Sequence, residues 1–419
     1  MAAANCSAGE TCAALIHGKQ MAPSRLEAWA RLCVTKFLGS HISTDRLILE
    51  EEGGATFTFD GTGKKCSLEV VLKVHNPQFY WKVTTRADIG LADAYIDGEF
   101  SFADKDQGLL HLIMVLIANR DANKSISKAN KKRGWWTPSL FTAGIASAKF
   151  FLQHVLRQNT LTQARRNISR HYDLARIDKK HEILDIGCGW GTFAIEVVKQ
   201  TGCKYTGLTL SVEQLKYAEM KVKEAGLQDN IRLLLCDYRE LPKGYKYDRI
   251  VSCEMIEHVG HEYMEDFFSS CESALAEDGL LVLQSTSIAD ERYDEYRRSS
   301  DFIKEYIFPG ACVPSLSRIT SAMGVASRLS VEHVENIGSH YYLTLRCWKK
   351  YFLENKSKIL AMGFDERFIR TWEYYFDYCA AGFKSCTLFN YQIVFSRPGN
   401  VGVLGDPYKG FPSAYRHLL

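Results

Sequence analysis

Glu182-Ile-Leu-Asp-Ile-Gly-Cys-Gly-Trp-Gly191 is the stretch whose reading decides the fold. Ile183, Leu184 and Ile186 make the short apolar run of a parallel strand covered on both faces. Gly187, Gly189 and Gly191 follow at once. A turn of this kind lets the backbone bend tightly and approach a ligand where any Cβ would intrude. Residues 192–200 then read as a helix whose free N–H groups point back over the turn.

Strand, glycine turn and helix in succession either hold a nucleotide or merely close a junction, and the neighbouring residues discriminate. The spacing is G-x-G-x-G, not the dinucleotide fingerprint G-x-G-x-x-G. The next strand, 204–208, ends in Thr209-Leu210-Ser211, without the Asp or Glu that binds an NAD ribose. A G-x-x-x-x-G-K-[ST] run is absent too, which argues against nucleoside triphosphates. An S-adenosylmethionine (SAM) site fits the turn better.

Downstream, strand and helix alternate. Ser211 opens a helix with Gln214 three residues on, a capping box, and Leu215, Ala218 and Val222 form its buried stripe. Strands follow at 231–235, ending in Cys236-Asp237-Tyr238, and at 247–252, ending in Cys253-Glu-Met-Ile-Glu-His-Val-Gly260. A helix at 265–276 and a buried strand at 279–284 complete the series. This predicts an α/β fold, a Rossmann-like, doubly wound, mostly parallel sheet. Ligands of such sheets sit at the carboxyl ends of the strands, where Gly187, Thr209, Asp237 and Glu257 all fall.

Upstream the period changes. Residues 25–38 carry Leu26, Trp29, Ala30, Leu32, Cys33 and Phe37 at helical spacing. Strands are expected at 46–50, 56–59, 67–74 and 79–84, then helices at 87–97 and 109–119, making a small α+β unit. Residues 120–133 carry Lys124, Lys128, Lys131, Lys132 and Arg133, followed by Trp135-Trp136. They read either as a solvated linker or as a membrane-surface contact with basic groups on anionic headgroups. A helix over 149–169 leads to His171-Tyr172-Asp173. The C-terminal aromatics, Tyr306-Ile-Phe-Pro309, His340-Tyr341-Tyr342 and Trp372-Glu-Tyr-Tyr375, read mostly as core, with a minority lining a pocket. The expected division is a flexible leader (1–22), an N-terminal α+β domain (23–120), a basic linker (121–147), a SAM domain (148–398) and a tail (399–419).

Bulk composition narrows the function classes. The 419 residues suffice for two domains, and 24% charged residues with a net charge of +3 do not suggest a nucleic-acid binder. Thirteen cysteines, an odd number without a C-x-x-C pair, point to reduced thiols in a cytosolic-type compartment. The longest mainly apolar run, 109–118, is too short to span a bilayer. No metal site is expected.

With Leu184-Asp-Ile-Gly-Cys-Gly-Trp-Gly191, Thr209-Leu-Ser-x-x-Gln214, Cys236-Asp-Tyr-Arg239 and Met255-Ile-Glu-His-Val-Gly260 assembled, the chain resembles the cyclopropane-fatty-acid synthases, class I SAM-dependent methyltransferases. Glu305-Tyr-Ile-Phe-Pro309, His340-Tyr341, Cys379-Ala-Ala-Gly-Phe383 and Val394-Phe-Ser-Arg397 extend the likeness, which is nearest the plant branch. Ile89-Gly-Leu-Ala-Asp-Ala-Tyr-Ile-Asp-Gly98 resembles the family's lipid-facing domain, so the resemblance covers residues 25–397.

The resemblance implies that Asp185, Gly187 and Gly189 hold the methionine part of SAM, Thr209 and Gln214 its ribose, and Asp237 and Tyr238 its adenine. It implies a bound bicarbonate as base, held by Glu257 and Tyr341; the alternative for Glu257 is a carboxylate at a helix start. Gln284 stands where bacterial relatives carry a His. The implied reaction adds one carbon to the cis double bond of an unsaturated phospholipid acyl chain, by a cytoplasmic protein peripheral to the membrane, with a homodimer among the assemblies considered. One departure is an absence. His171-Tyr-Asp-Leu174 joins almost directly to the first strand, where family members carry a further segment that roofs SAM. Two other functions stand beside the first: amine N-methylation, and a shortened, non-catalytic SAM- or lipid-binding form.

Overall fold

A computed structural model describes residues 23–61, 68–122, 174–242 and 244–400. The expected leader, the basic stretch from 123 to 147, His171-Tyr172-Asp173 and the tail beyond 400 lie outside these residues. The chain divides into two compact units at residues 127/128.

The first unit carries a four-stranded sheet in the order β2-β1-β3-β4. Its strands are β1 (Arg46–Glu51), β2 (Thr56–Asp60), β3 (Glu69–Val74) and β4 (Phe100–Phe102). Helix α1 (Arg25–His41) starts at a complete capping box, with Ser24 accepting from the Glu27 amide and Glu27 returning the bond. It buries Ala30, Val34 and Leu38, while Leu26, Trp29, Leu32 and Phe37 stay exposed.

One expectation fails here. Residues 79–84 belong to helix α2 (Gln78–Ile96), not to a strand. Phe79, Tyr80 and Trp81 favour strands intrinsically, but Pro77 caps a helix there, and Phe79 and Tyr80 are buried, packing in the aromatic group with Phe100. The helix breaks at Ala87, whose φ is 49°. Helix α3 (Gly108–Ala122) follows. No helix among the described residues is long and apolar enough to cross a membrane.

The second unit is built on a seven-stranded sheet in the order β10-β11-β9-β8-β5-β6-β7. Strands β5 (Glu182–Ile186), β6 (Lys204–Thr209), β7 (Ile231–Leu235), β8 (Tyr247–Cys253) and β9 (Leu275–Ile288) run parallel. The antiparallel strands β10 (Ser330–Asn336) and β11 (Leu388–Ser396) extend this sheet beyond the five strands expected. The strands alternate between two cores. Ile183 and Tyr205 pack with Ala194, Val197 and Val222 from helices α4 (Thr192–Thr201) and α5 (Val212–Glu224). Leu184 and Leu208 pack with Phe267 and Phe268 of α6 (Met264–Ala274). Each fully buried Leu, Ile or Phe adds about 1.5–3 kcal/mol of transfer free energy, so the sheet is held from both faces. The doubly wound, mostly parallel architecture expected from the sequence is the one observed.

The short join ahead of β5 is well packed: Ala175 and Ile177 enter the first core, and the Arg249 guanidinium donates to the Ala175 carbonyl at 2.5 Å.

Candidate active site

The strand order switches between β5 and β8, the place where such sheets hold ligands at the strands' carboxyl ends, and the glycine turn lies there. Gly187 has φ +94°, and a Cβ on it would meet the Met255 side chain at 2.9 Å. Gly189 has φ +54°, and a Cβ there would face open space. The first glycine is therefore fixed by packing, and the second leaves backbone bare toward the crevice.

The other expected SAM residues are distributed around the turn. Thr209 ends β6, and its hydroxyl donates to Gln214 Oε1 at 2.7 Å while accepting from the Ser211 amide. The expected capping box is thus only half formed: Ser211 caps the Gln214 amide at 3.2 Å, but the Gln214 side chain turns to Thr209 instead. Asp185 is buried and accepts a hydrogen bond from the Tyr205 hydroxyl. Burial raises its carboxyl to about 7, against the lowering effect of that bond. Asp237 sits past β7, and its ion pair with Arg239 at 2.6 Å keeps its carboxyl below the usual range. Tyr238 meets Phe267 edge-on at 5.5 Å, and burial pushes its phenol up to about 12.

The second part of the crevice is acidic. Glu254 follows β8, and Met255, which packs against Gly187, separates it from Ile256 and Glu257. The Glu254 carboxylate collects donors from four directions. Tyr341 donates its hydroxyl at 2.8 Å and Gln284 its amide at 2.8 Å. Thr286 gives its amide at 3.1 Å and its hydroxyl at 2.9 Å, and Asn390 gives its side-chain amide. Gln392 fixes the Gln284 amide by donating to its Oε1 at 2.8 Å. Burial alone would raise the Glu254 carboxyl, but neighbouring Glu257 and the bonds from Asn390, Gln284 and Tyr341 outweigh it and hold it low.

Glu257 has the opposite character. Its Oε1 accepts from the Thr286 amide at 2.6 Å and Ser285 at 3.2 Å, while its buried Oε2 has no partner among the described residues. Burial first, then the adjacent Glu254 charge, push this carboxyl well above its ordinary value. The two carboxyls are pushed in opposite directions, Glu254 down and Glu257 up, the division expected of two acids sharing a site. Burial and the Glu254 charge also raise Tyr341 far above an ordinary phenol, so it remains a donor.

The structure therefore brings Glu257 and Tyr341 together, around a residue that sequence reasoning misses. Glu254 stands in the Cys253-Glu-Met-Ile-Glu stretch, and the signal available is a second carboxylate three residues before the first. Asn390 and Gln392 give no signal, because β11 itself is not among the expected strands. The expected bicarbonate does not fit these residues. Tyr341 is bonded to Glu254, and Glu257 borders an ionised carboxylate that would repel a further anion.

The chain is similar to several known proteins. Tuberculostearic acid methyltransferase UfaA1 of Mycobacterium tuberculosis is 35% identical over 235 residues, 56% of this chain and 54% of that one. This chain thus spans about half the length of that relative. Cyclopropane-fatty-acyl-phospholipid synthase of Escherichia coli is 27% identical over 78% of this chain and 87% of its own. Among solved structures, mycolic acid cyclopropane synthase CmaA1 complexed with SAH and CTAB superposes with a TM-score of 0.51 at 25% identity, over 58% of this chain and 87% of that one. Residues 147–393 match the family model described as mycolic acid cyclopropane synthetase. With more than half of its length in that match, the chain belongs to the mycolic acid cyclopropane synthetase family, on a class I SAM methyltransferase fold.

Proposed function

We propose that this protein transfers the methyl carbon of bound SAM to the cis double bond of an unsaturated phospholipid acyl chain. One observation carries the reading: Met255, between the two glutamates, packs on Gly187, so the acidic cluster and the glycine turn adjoin. A methyl donor on that turn would be next to a buried base. Bound SAM supplies a sulfonium methyl, an electrophile that an alkene can attack. The turn backbone at Gly187 and Gly189, with Asp185 behind it, would seat the methionine part; Thr209 with Gln214 would face the ribose, and Asp237 with Tyr238 the adenine. Glu257 and Tyr341 would flank the reacting carbon. Half-buried Tyr375 and the Tyr341–Phe383 ring pair offer the aromatic faces that cationic character requires. Contact with a membrane surface follows from such a substrate. A bicarbonate base is not part of this reading, since Tyr341, one of its expected ligands, already donates to Glu254.

The test uses vesicles of a cis-monounsaturated phospholipid with methyl-labelled SAM. The expected product is an acyl chain that gains one carbon and loses its double bond. Half-buried Glu254, its carboxyl held low, favours a second reading, amine N-methylation, because it could hold a cationic nitrogen. Label in an amine acceptor and none in lipid would select it. Tight SAM binding without transfer to either acceptor would select a non-catalytic binding protein.

A further inference from the structure

We infer that Glu254 is this chain's own catalytic base, its carboxylate occupying the donor cage in which a relative would hold a separate anion. The inference rests on the lipid reading above and goes beyond it by naming the proton acceptor.

The cage is built for a carboxylate. Donors arrive from β9 (Gln284, Thr286), from β11 (Asn390) and from Tyr341 of α9 (Gly338–Glu354), and Gln392 locks the orientation of Gln284. Segments far apart in the chain thus satisfy one side chain. Arg and Lys, the ordinary partners of a buried carboxylate, do not contact it among the described residues. Charge compensated only by neutral donors keeps a carboxylate ionised without tying up its basicity in an ion pair.

The backbone supplies an independent observation. Glu254 has φ 51°, one of only five non-glycine residues with positive φ among the described residues. A long acidic side chain in the left-handed region is strained, and such outliers persist where the surroundings over-determine them. Here the surroundings are the cage itself. A glycine would fit the backbone without strain, so the glutamate is present for its side chain.

The chemistry balances without any further reagent. The alkene π pair forms the bond to the methyl carbon, and the carbon–sulfur bond breaks with its pair going to sulfur. The cation left on the acyl chain is then closed by a C–H pair of the transferred carbon, and the proton passes to a Glu254 carboxylate oxygen. A C–H bond next to a carbocation is strongly acidic, so even a carboxylate held low can accept the proton; position matters more than strength. Burial and the Glu254 charge push the neighbouring Glu257 carboxyl up, so the two acids do not carry charge equally.

Two variants test this. Glu254→Gln keeps the shape and removes the base. It is expected to lose roughly 100-fold or more in kcat with SAM affinity unchanged, while wild-type turnover is the same in carbon-dioxide-free buffer and with added bicarbonate. Glu254→Gln within threefold of wild type, or a wild type that falls tenfold without bicarbonate, overturns the inference. Glu254→Gly empties the cage with a relaxed backbone. Calorimetric titration with bicarbonate should then show binding to Glu254→Gly and none to wild type. Binding to wild type, or to neither protein, overturns it. Because this titration needs no turnover, it still decides the role of the cage if the lipid assay fails and with it the proposed substrate.

Discussion

The two halves of the crevice are built by different means. The turn side is local: Thr209 and Gln214 are five residues apart, and the glycine turn is a single loop between β5 and α4. The acidic side is assembled over long range, with Asn390 reaching Glu254 across 136 residues of chain and Tyr341 across 87. A local site needs only its own loop and the adjacent strand. A long-range site exists only when β9, β11 and α9 have all docked, so its geometry reports the whole unit's stability.

The sharpest way to break that contrast is to loosen α9. This helix carries Arg346 and Lys349, which both bind Asp377 of α11 (Glu366–Lys384), at 2.6 and 2.7 Å. Asp377 is fully buried and Lys349 nearly so. Asp377→Ala removes the buried carboxylate that Arg346 and Lys349 both bind, and about 3–5 kcal/mol should be lost in urea unfolding. Activity should fall further than SAM affinity, because Tyr341 rides on the same helix.

On the turn side, Asp185→Asn should act through pH. The Asp185 carboxyl lies at 3.8 as a free group and about 7 when folded. A raised folded value means the native state holds its proton more tightly. The wild type therefore loses stability as pH rises from about 4 to 7 and loses no more above that. The substituted amide keeps an acceptor for Tyr205 and carries no charge. Relative to wild type the variant should gain, by about 2–4 kcal/mol, between pH 4 and pH 8, read from urea midpoints at each pH. A difference independent of pH would sink the assignment.

Tyr341→Phe removes one donor to an ionised acid, and a loss of about 1.5–3 kcal/mol in stability is expected, with SAM affinity unchanged. A parallel fall in SAM affinity would show that the two halves are coupled. Ser211→Ala, the smallest change, removes the cap of α5 and should lower stability by about 1 kcal/mol, detectable as a modest drop in melting temperature.

The same contrast explains what can be read from the sequence. Strands β5 to β8 and the glycine turn are legible because each announces itself within ten residues, as apolar run, turn residues and helical stripe. The class of fold follows from their alternation. Strand β10 is not legible: its residues Val331, Glu332, His333 and Val334 are all exposed, so no buried pattern marks it. The strand expected at 79–84 is a propensity argument overruled by packing. Of the site, residues attached to the turn can be named one by one, whereas the cage around Glu254 combines distant segments that share no spacing. Glu257 and Tyr341 are marked by their motifs, but the residue that unites them is not, because its distinction lies in a backbone angle that composition does not reveal.

That angle has a consequence for how the protein relates to its surroundings. An enzyme that borrows its base from dissolved carbon dioxide works at a rate set partly by respiration and ventilation of the cell. A backbone site that takes glycine freely and here bears a glutamate places that choice in a single codon. If the built-in acid is the base, a lipid reaction at this site would run independently of the local supply of the gas.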